Sequence, residues 1–286
     1  MNNEILGVEI NQFGIQTAVV NIGTNLIVPG TIVRMDVDTN ETAENLIMSW
    51  VNIIKESHKL NSSDISLLGV AIPGPFDYTN GISMMKNQLK FDSLYKLNVK
   101  ELLAEQLNIS PLNIRMQNNT PCFLQGEVSA GSAQGYSNVL GFTLNPGLGS
   151  ARYFNNTSID ADLWQASFKD GIAEDYLDTK WLLNRYKEFT GLQVPTIQEL
   201  TELSKTDDGL GQIVFNEYSE NFVSFLAEYV WLYQPDLVLI GGHNDAWNMF
   251  IAHVRDRLKD KGINVLIKQA ALGDAAALMG AANLWQ

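Results

Sequence analysis

The chain has 286 residues, of which 45% are hydrophobic and 18% are charged. This length favours two domains, and the composition is typical of a globular protein rather than a disordered one. The net charge of −13, from 19 basic and 32 acidic residues, disfavours phosphate backbones and anionic membrane surfaces as partners. We therefore expect neither nucleic-acid binding nor membrane binding.

The single cysteine, Cys122, excludes an intrachain disulfide and a cysteine-based zinc site. The first residues lack the basic and apolar segments of a signal peptide. No apolar run reaches the roughly 18–20 residues that span a bilayer. These features predict a cytoplasmic protein.

The first half of the chain reads as strands and helices in the order β-β-β-α-β-α-β. The predicted strands cover residues 5–10, 15–21, 30–36, 67–72 and 113–116, and the predicted helices cover 39–58 and 99–107. Residues 39 and 40 are the expected cap of the first helix.

The second half partly repeats this order. It predicts helices at 120–130, 245–260 and 274–284, a broken helical region at 174–233, and strands at 138–144, 151–154, 237–240 and 264–267. Both halves open with a strand–turn–strand unit, which predicts a duplicated α/β domain with a central cleft. The expected lobes are 1–118, completed by the helix 274–286, and 119–273, which contains the helical insert 174–233.

Two glycine-containing turns are candidate ligand sites. The amides of Asn145-Pro-Gly-Leu-Gly149 can cradle a phosphate, or the segment is only a hairpin turn that needs glycine. Gly241-Gly242 ends a buried strand, where glycine lets a ligand approach the backbone or lets the strand and helix pack tightly.

Two further segments follow buried strands. The Pro73-Gly74-Pro75 loop either lines a pocket or is a simple connection. Thr120-Pro121 is typical of a helix start, which leaves Asn118 and Asn119 unexplained. Asparagine side chains can bond sugar hydroxyls as donors and as acceptors.

In their order and spacing, these segments resemble the ROK family of sugar kinases and repressors. The best matches lie at residues 71–75, 126–135, 235–242 and 272–281. The resemblance implies an α/β, two-lobed actin-like ATPase (ribonuclease H-like) fold, with a duplicated βββαβα domain. It also implies a kinase that closes on a hexose or N-acetylhexosamine and Mg-ATP, and a possible homodimer. DNA-binding members carry a helix-turn-helix domain before the first strand, and we expect none here.

The resemblance also assigns roles to individual residues. The sugar side would use Pro73, Gly74, Asn87, Asn118, Asp162 and Gln165. The nucleotide side would use Asn11, Gln12, Gly147, Gly149, Gly241 and Gly242.

The departures from the family fall on ATP and catalysis. Asn119 stands where the family has the aspartate base, and an amide cannot accept the sugar proton at neutral pH. General-base catalysis is typically worth about 10²–10⁴-fold. The family's Asp-x-Gly-Gly-Thr loop is here Glu9-Ile-Asn-Gln-Phe13, and Pro146 removes an N–H from the second loop. Gln165 replaces a zinc-binding histidine and the cysteine cluster is missing, so we expect no structural zinc.

Three hypotheses therefore remain open. The first is an active hexose kinase of this family, whose phosphoryl transfer we expect to be much reduced. The second is a catalytically inert sugar-binding or regulatory protein that keeps the kinase fold. The third is a purely structural or partner-binding protein with an empty cleft.

Overall fold

The computed structural model describes residues 3–61, 66–88, 90–144, 147–206, 209–242 and 244–286. They form two compact units, unit 1 (residues 1–134 and 274–286) and unit 2 (residues 135–273). The boundary between the two units lies at 134/135, after the expected boundary at 118/119, because the helix that follows residue 118 packs within unit 1. The C-terminal segment completes unit 1.

Unit 1 contains a six-stranded sheet with helices packed on it. Its strands are β1 (Glu4–Asn11), β2 (Gly14–Asn21), β3 (Leu26–Ile27), β4 (Val33–Asp36), β5 (Leu68–Ala71) and β8 (Ile114–Gln117); β6 (Phe76–Asp77) and β7 (Ile82–Ser83) form a small separate hairpin. Its helices are α1 (Ala43–Lys59), α2 (Val99–Leu107), α3 (Asn119–Ala130) and α9 (Ala275–Ala282).

The order β3-β2-β1-β5-β8 places the three parallel strands side by side, while β4 pairs with β2. In this register Ala71 lies beside both Glu9 and Gln117. The carboxyl ends of β1, β5 and β8 therefore meet at one edge, where Asn118 and Asn119 follow.

Helix α1 begins later than its sequence predicts. Asp38 Oδ1 accepts the Asn40 amide at 2.9 Å, so this segment forms a turn instead of a cap. The cap is Thr42, whose hydroxyl accepts the Asn45 amide at 3.3 Å. On the buried face of α1, Trp50 packs edge-on against Phe91 with ring centroids 5.5 Å apart. The helix is thus fixed in place by its apolar stripe.

Close backbone packing explains several glycines of the family-like segments. A Cβ on Gly126 would lie 2.0 Å from the Ala276 carbonyl oxygen, and one on Gly280 would lie 1.7 Å from that of Cys122. Helices α3 and α9 can approach this closely only where no side chain intervenes. These glycines therefore serve helix packing within unit 1.

Unit 2 contains a five-stranded sheet in the order β11-β10-β9-β14-β15. The strands are β9 (Val139–Leu144), β10 (Leu148–Phe154), β11 (Thr157–Asp160), β14 (Leu237–Gly241) and β15 (Leu266–Gln269); β12 (Ser167–Phe168) and β13 (Gly171–Ile172) pair separately. The helices are α4 (Ala173–Leu177), α5 (Thr179–Thr190), α6 (Ile197–Leu203), α7 (Leu210–Tyr233) and α8 (Trp247–Asp260).

Helix α7 supplies much of the unit 2 core. Phe222 and Phe225 pack edge-on against Phe142 of β9, with centroids 5.9 and 5.8 Å apart. Tyr218 packs against Phe250 of α8 at 5.6 Å. The apolar face of this helix is therefore part of the unit 2 core. Among the described residues, no helix is long and apolar enough to cross a membrane.

Candidate functional site

The asparagines that follow β8 begin the candidate site in unit 1. Asn118 is the N-cap of α3, and its Oδ1 accepts the Thr120 amide at 3.0 Å. Its Nδ2 donates to the Tyr78 hydroxyl at 3.0 Å, and that hydroxyl donates to the Ile72 carbonyl at 3.3 Å. The Asn118 amide is therefore oriented from both ends.

The Pro73-Gly74 loop lies against the same pair of side chains. A Cβ on Gly74 would lie 3.1 Å from the Tyr78 hydroxyl and 3.5 Å from Asn118 Nδ2. Gly74 thus leaves room for the Asn118–Tyr78 hydrogen bond. No functional role is predicted for Tyr78 from the sequence, because no local pattern distinguishes this residue.

Asn119 is held by the backbone of β1. Its Nδ2 donates to the Ile10 carbonyl at 2.9 Å. Its Oδ1 is buried and accepts no hydrogen bond from the described residues. Asn119, which the resemblance aligns with the family's base, is therefore a neutral amide that is fixed in place. An amide oxygen accepts hydrogen bonds but is not a base at neutral pH.

The first loop is a tight hairpin in which Asn11 pairs with Gly14 across a two-residue tip. Asn11 Oδ1 accepts the amides of Phe13 and Gly14 at 2.9 and 3.2 Å. Gln12 and Phe13 are exposed, and Phe13 shows 64% of its surface. The backbone amides of Phe13 and Gly14 are therefore already hydrogen-bonded within the hairpin.

A half-buried carboxyl lies at the base of this hairpin. The side chain of Glu9 accepts hydrogen bonds from Gln16 Nε2 and, at 3.5 Å, from Asn11 Nδ2. Gln16 Nε2 also donates to the Asp274 carbonyl at 2.6 Å. Burial raises the pKa of Glu9 above its ordinary value of 4.5, although the Gln16 and Asn11 hydrogen bonds lower it. The sequence signals for this group are its charge within the apolar segment 5–10 and its place at the acidic position of the family's first loop.

Asn87 lies apart from these contacts in an exposed loop. Its backbone adopts a φ of 57°, and its amide donates to Asp92 Oδ2 at 3.1 Å. Its assignment to the sugar side stays a prediction.

In unit 2 the turn between β9 and β10 is a hairpin, with Leu144 paired to Leu148. Gly147 adopts a φ of 83°, which glycine accepts at little cost. Its amide donates to Asp178 Oδ1 at 2.9 Å, and the Leu148 amide donates to Glu174 Oε2 at 3.0 Å. Asn145 and Pro146 lie outside the described residues, so the N–H that Pro146 is expected to remove falls in this part of the chain.

Gly241 and Gly242 lie beside this turn, because β14 pairs with β9 in a register that sets Gly241 next to Thr143. Gly242 has a φ of 80°, and a Cβ there would lie 2.7 Å from the Leu144 carbonyl oxygen. Close packing therefore requires glycine at 242. Gly149 lies in β10 next to the turn and also pairs with Thr143. Unit 2 thus brings together all four of its predicted nucleotide-side glycines.

Asp162 and Gln165 form a local pair, since Gln165 Nε2 donates to Asp162 Oδ2. Both side chains are exposed. Asp162 has a φ of 53°, and its amide donates to Asp160 Oδ1 at 2.9 Å. The assignment of the pair to the sugar side stays a prediction.

A cavity of about 790 Å³ within unit 2 is lined in part by Glu174 and Asp178. Six carboxylates and three cationic side chains line it. Of the cations, Arg185 forms a two-point contact with Glu217, at 2.7 and 3.2 Å, and a 2.7 Å contact with Glu188. The described residues include no group of three or more His, Cys, Asp or Glu side chains that could hold a metal ion.

No protein-family model matches the chain. The β-glucoside kinase of Listeria monocytogenes is 23% identical over 238 residues, which cover 77% of this chain and 79% of that kinase. The N-acetyl-D-glucosamine kinase of Escherichia fergusonii is 25% identical over 255 residues, covering 76% and 79%. The chain is a relative of sugar kinases.

The solved structures extend this likeness to the whole chain. A ROK family glucokinase from Streptomyces griseus, in complex with glucose and AMPPNP, superposes with a TM-score of 0.78 at 19% identity. The match covers 98% of this chain and 98% of the glucokinase. The predicted ROK-like, actin-like ATPase fold is confirmed.

Proposed function

We propose that the chain is a ROK-type sugar kinase homologue that binds a hexose or N-acetylhexosamine, and that its phosphoryl transfer from Mg-ATP is much reduced. The sugar class is that of the relatives: one is a β-glucoside kinase, another an N-acetyl-D-glucosamine kinase, and the glucokinase structure holds glucose. The oriented amide of Asn118, together with the Pro73-Gly74 loop, supports sugar binding by unit 1.

The observation that carries the reduced activity is the hydrogen bond from Asn119 Nδ2 to the Ile10 carbonyl. It fixes a neutral amide at the position of the family's base. A sugar hydroxyl attacking the γ-phosphate must then lose its proton without help from this residue. Loss of general-base catalysis lowers the rate by about 10²–10⁴-fold, or roughly 3–5 kcal/mol of barrier.

A coupled assay for ADP release, run over a panel of hexoses and N-acetylhexosamines at high enzyme concentration, tests this proposal. We expect slow turnover that depends on one class of sugar. Turnover at ordinary kinase rates contradicts the reduced activity, and the absence of binding to every sugar in calorimetry contradicts the sugar site.

The alternative is an inert sugar-binding or regulatory protein. This alternative is favoured by the hydrogen bonds of the two turns that would face phosphate. The amides of Phe13 and Gly14 donate to Asn11, and those of Gly147 and Leu148 donate to carboxylates. These described amides are therefore already bonded within the protein. Sugar binding without any sugar-dependent ADP release distinguishes this alternative from a slow kinase.

A further inference from the structure

The segment 84–100 of unit 1 is basic within an acidic protein. It contains four lysines and one acidic residue, whereas the whole chain has a net charge of −13. That acidic residue, Asp92, accepts the backbone amides of Asn87 and Gln88 at 3.1 and 3.2 Å. The segment therefore attracts anions that the rest of the chain repels.

Two of these lysines share one aromatic ring. The Nζ atoms of Lys86 and Lys96 lie 5.0 and 5.3 Å from the centroid of the Tyr95 ring. The two ammonium groups are thus within roughly 10 Å of each other, about one Debye length, where like charges still repel. Both lysines are exposed, and neither forms an ion pair with a carboxylate of the described residues. The face of one ring offsets only part of two positive charges, so a bound anion would relieve their repulsion.

The backbone of this segment is tied at several points. The Lys96 amide donates to the Ser83 carbonyl at 2.8 Å, and the Ser83 amide donates to the Leu97 carbonyl at 3.1 Å. Asn87, Phe91 and Lys96 have φ angles of 57°, 54° and 65°. Left-handed backbone is unfavourable for residues with a Cβ, and such outliers concentrate in ligand-binding segments. The two lysines are therefore presented from a fixed backbone.

The same segment begins against the loop proposed to bind sugar. The Met84 amide donates to the Pro75 carbonyl at 3.0 Å. Lys86 follows two residues later, which is at most about 7 Å of extended chain. Asn87, which the resemblance assigns to the sugar side, comes next. An anion bound by the lysine pair would therefore lie beside the proposed sugar site of unit 1.

We propose that Lys86 and Lys96 bind an anionic group, a phosphate or a carboxylate, that is carried by the sugar which unit 1 binds. The substrate class is then sugar phosphates or acidic sugars, and the lysine pair determines this specificity. This inference rests on the proposed function, because it assumes that unit 1 binds a sugar.

The test is calorimetry of the full chain with glucose, glucose 1-phosphate, glucose 6-phosphate, glucuronate and inorganic phosphate. We expect an anionic sugar to bind about ten-fold more tightly than glucose, since each contact between exposed charges contributes a few-fold. This preference should shrink as the salt concentration rises. The phosphate and carboxylate sugars distinguish the two anionic groups.

Lys86→Gln and Lys96→Asn each remove one ammonium group, and asparagine accepts the left-handed backbone at position 96. We expect each variant to lower the ratio of anionic-sugar affinity to glucose affinity by about three-fold, and the double variant to abolish the preference. Lys59→Gln, at an exposed position on α1, is the matched control and should keep the ratio.

Glucose binding without a preference for any anionic sugar overturns this inference and leaves the proposed function intact. An unchanged ratio in the double variant also overturns it. Inorganic phosphate that binds as tightly as the sugar phosphates, and loses this binding in the double variant, would show a site for free anions instead. The absence of binding to every sugar, neutral or anionic, contradicts the proposed function itself.

Discussion

The side-chain amide of Asn118 donates to the hydroxyl of Tyr78 at 3.0 Å while its oxygen caps helix α3. The Tyr78 ring is itself fixed by stacking on Phe76, with centroids 5.3 Å apart. One aromatic residue of the β6–β7 segment thereby orients the asparagine that follows β8. Orientation matters because an amide that can rotate gives a hydroxyl ligand a less well-defined donor and acceptor.

Replacing Tyr78 tests this relationship. We expect Tyr78→Phe to cost about 1 kcal/mol of unfolding free energy, since it removes the partner of Asn118 Nδ2. We also expect several-fold weaker sugar binding in calorimetry. Tyr218→Phe is the control for sugar binding, because Tyr218 lies in the core of unit 2. Unchanged sugar affinity in Tyr78→Phe would show that the hydrogen bond serves only the fold.

On the proposed function, Asn119→Asp places a carboxylate at the position that the resemblance aligns with the family's base. We expect sugar-dependent ADP release to rise by about 10²–10⁴-fold. The same change removes the donor to the Ile10 carbonyl and places a carboxylate oxygen near it, at a cost of about 1–3 kcal/mol in stability. Asn119→Ala, which loses the donor without gaining a base, is the control. Sugar-dependent ADP release no faster than that of the unmodified chain would show that the missing carboxylate at position 119 does not limit phosphoryl transfer.

Glycine packing between α3 and α9 can be tested with Gly280→Ala. Alanine normally stabilises a helix by about 1 kcal/mol relative to glycine. Here the new Cβ would lie 1.7 Å from the Cys122 carbonyl oxygen, so we expect a net loss of about 1–3 kcal/mol or more, measured by urea unfolding. Gly23→Ala is the control, because its Cβ would meet chiefly the end of the Asn3 side chain. Equal stability of the two variants would contradict the close approach.

Glu9 makes the stability of unit 1 depend on pH. Because burial raises its pKa in the folded protein, the folded state binds the proton more tightly than the unfolded state does. Stability is therefore lost as the pH rises from about 4.5 through the raised pKa. We expect Glu9→Gln, which stays neutral, to melt at a higher temperature than the unmodified chain at pH 7.

The difference between Glu9→Gln and the unmodified chain should shrink as the pH falls towards 4, where both side chains are neutral. Glu56→Gln, at an exposed position on α1, is the matched control for the loss of one carboxylate. A melting-temperature difference that is constant with pH would exclude titration of Glu9 as its cause.

Local patterns account for most of the agreement between sequence and structure. The 3–4 residue spacing of apolar side chains predicts α1, and the apolar run at 67–72 predicts β5, since each element must bury one stripe or face. The short strands β6, β7, β12 and β13 carry too few residues to show a period. Asp274 is the N-cap residue of α9 but makes no capping hydrogen bond with its side chain; its Oδ2 accepts from Arg34 at 3.1 Å, a contact that no local pattern encodes.

The sequence by itself determined what the chain resembles: the order of its elements and motifs is similar to that of ROK sugar kinases, and the resemblance aligns Asn119 with the family's base. Only the tertiary structure decided what the amides of the turns contact. Glu174 and Asp178 lie about thirty residues from Gly147, and Tyr78 lies 40 residues from Asn118. Hydrogen bonds depend on distances of about 3 Å, which the chain sets by folding and not by the spacing of its residues.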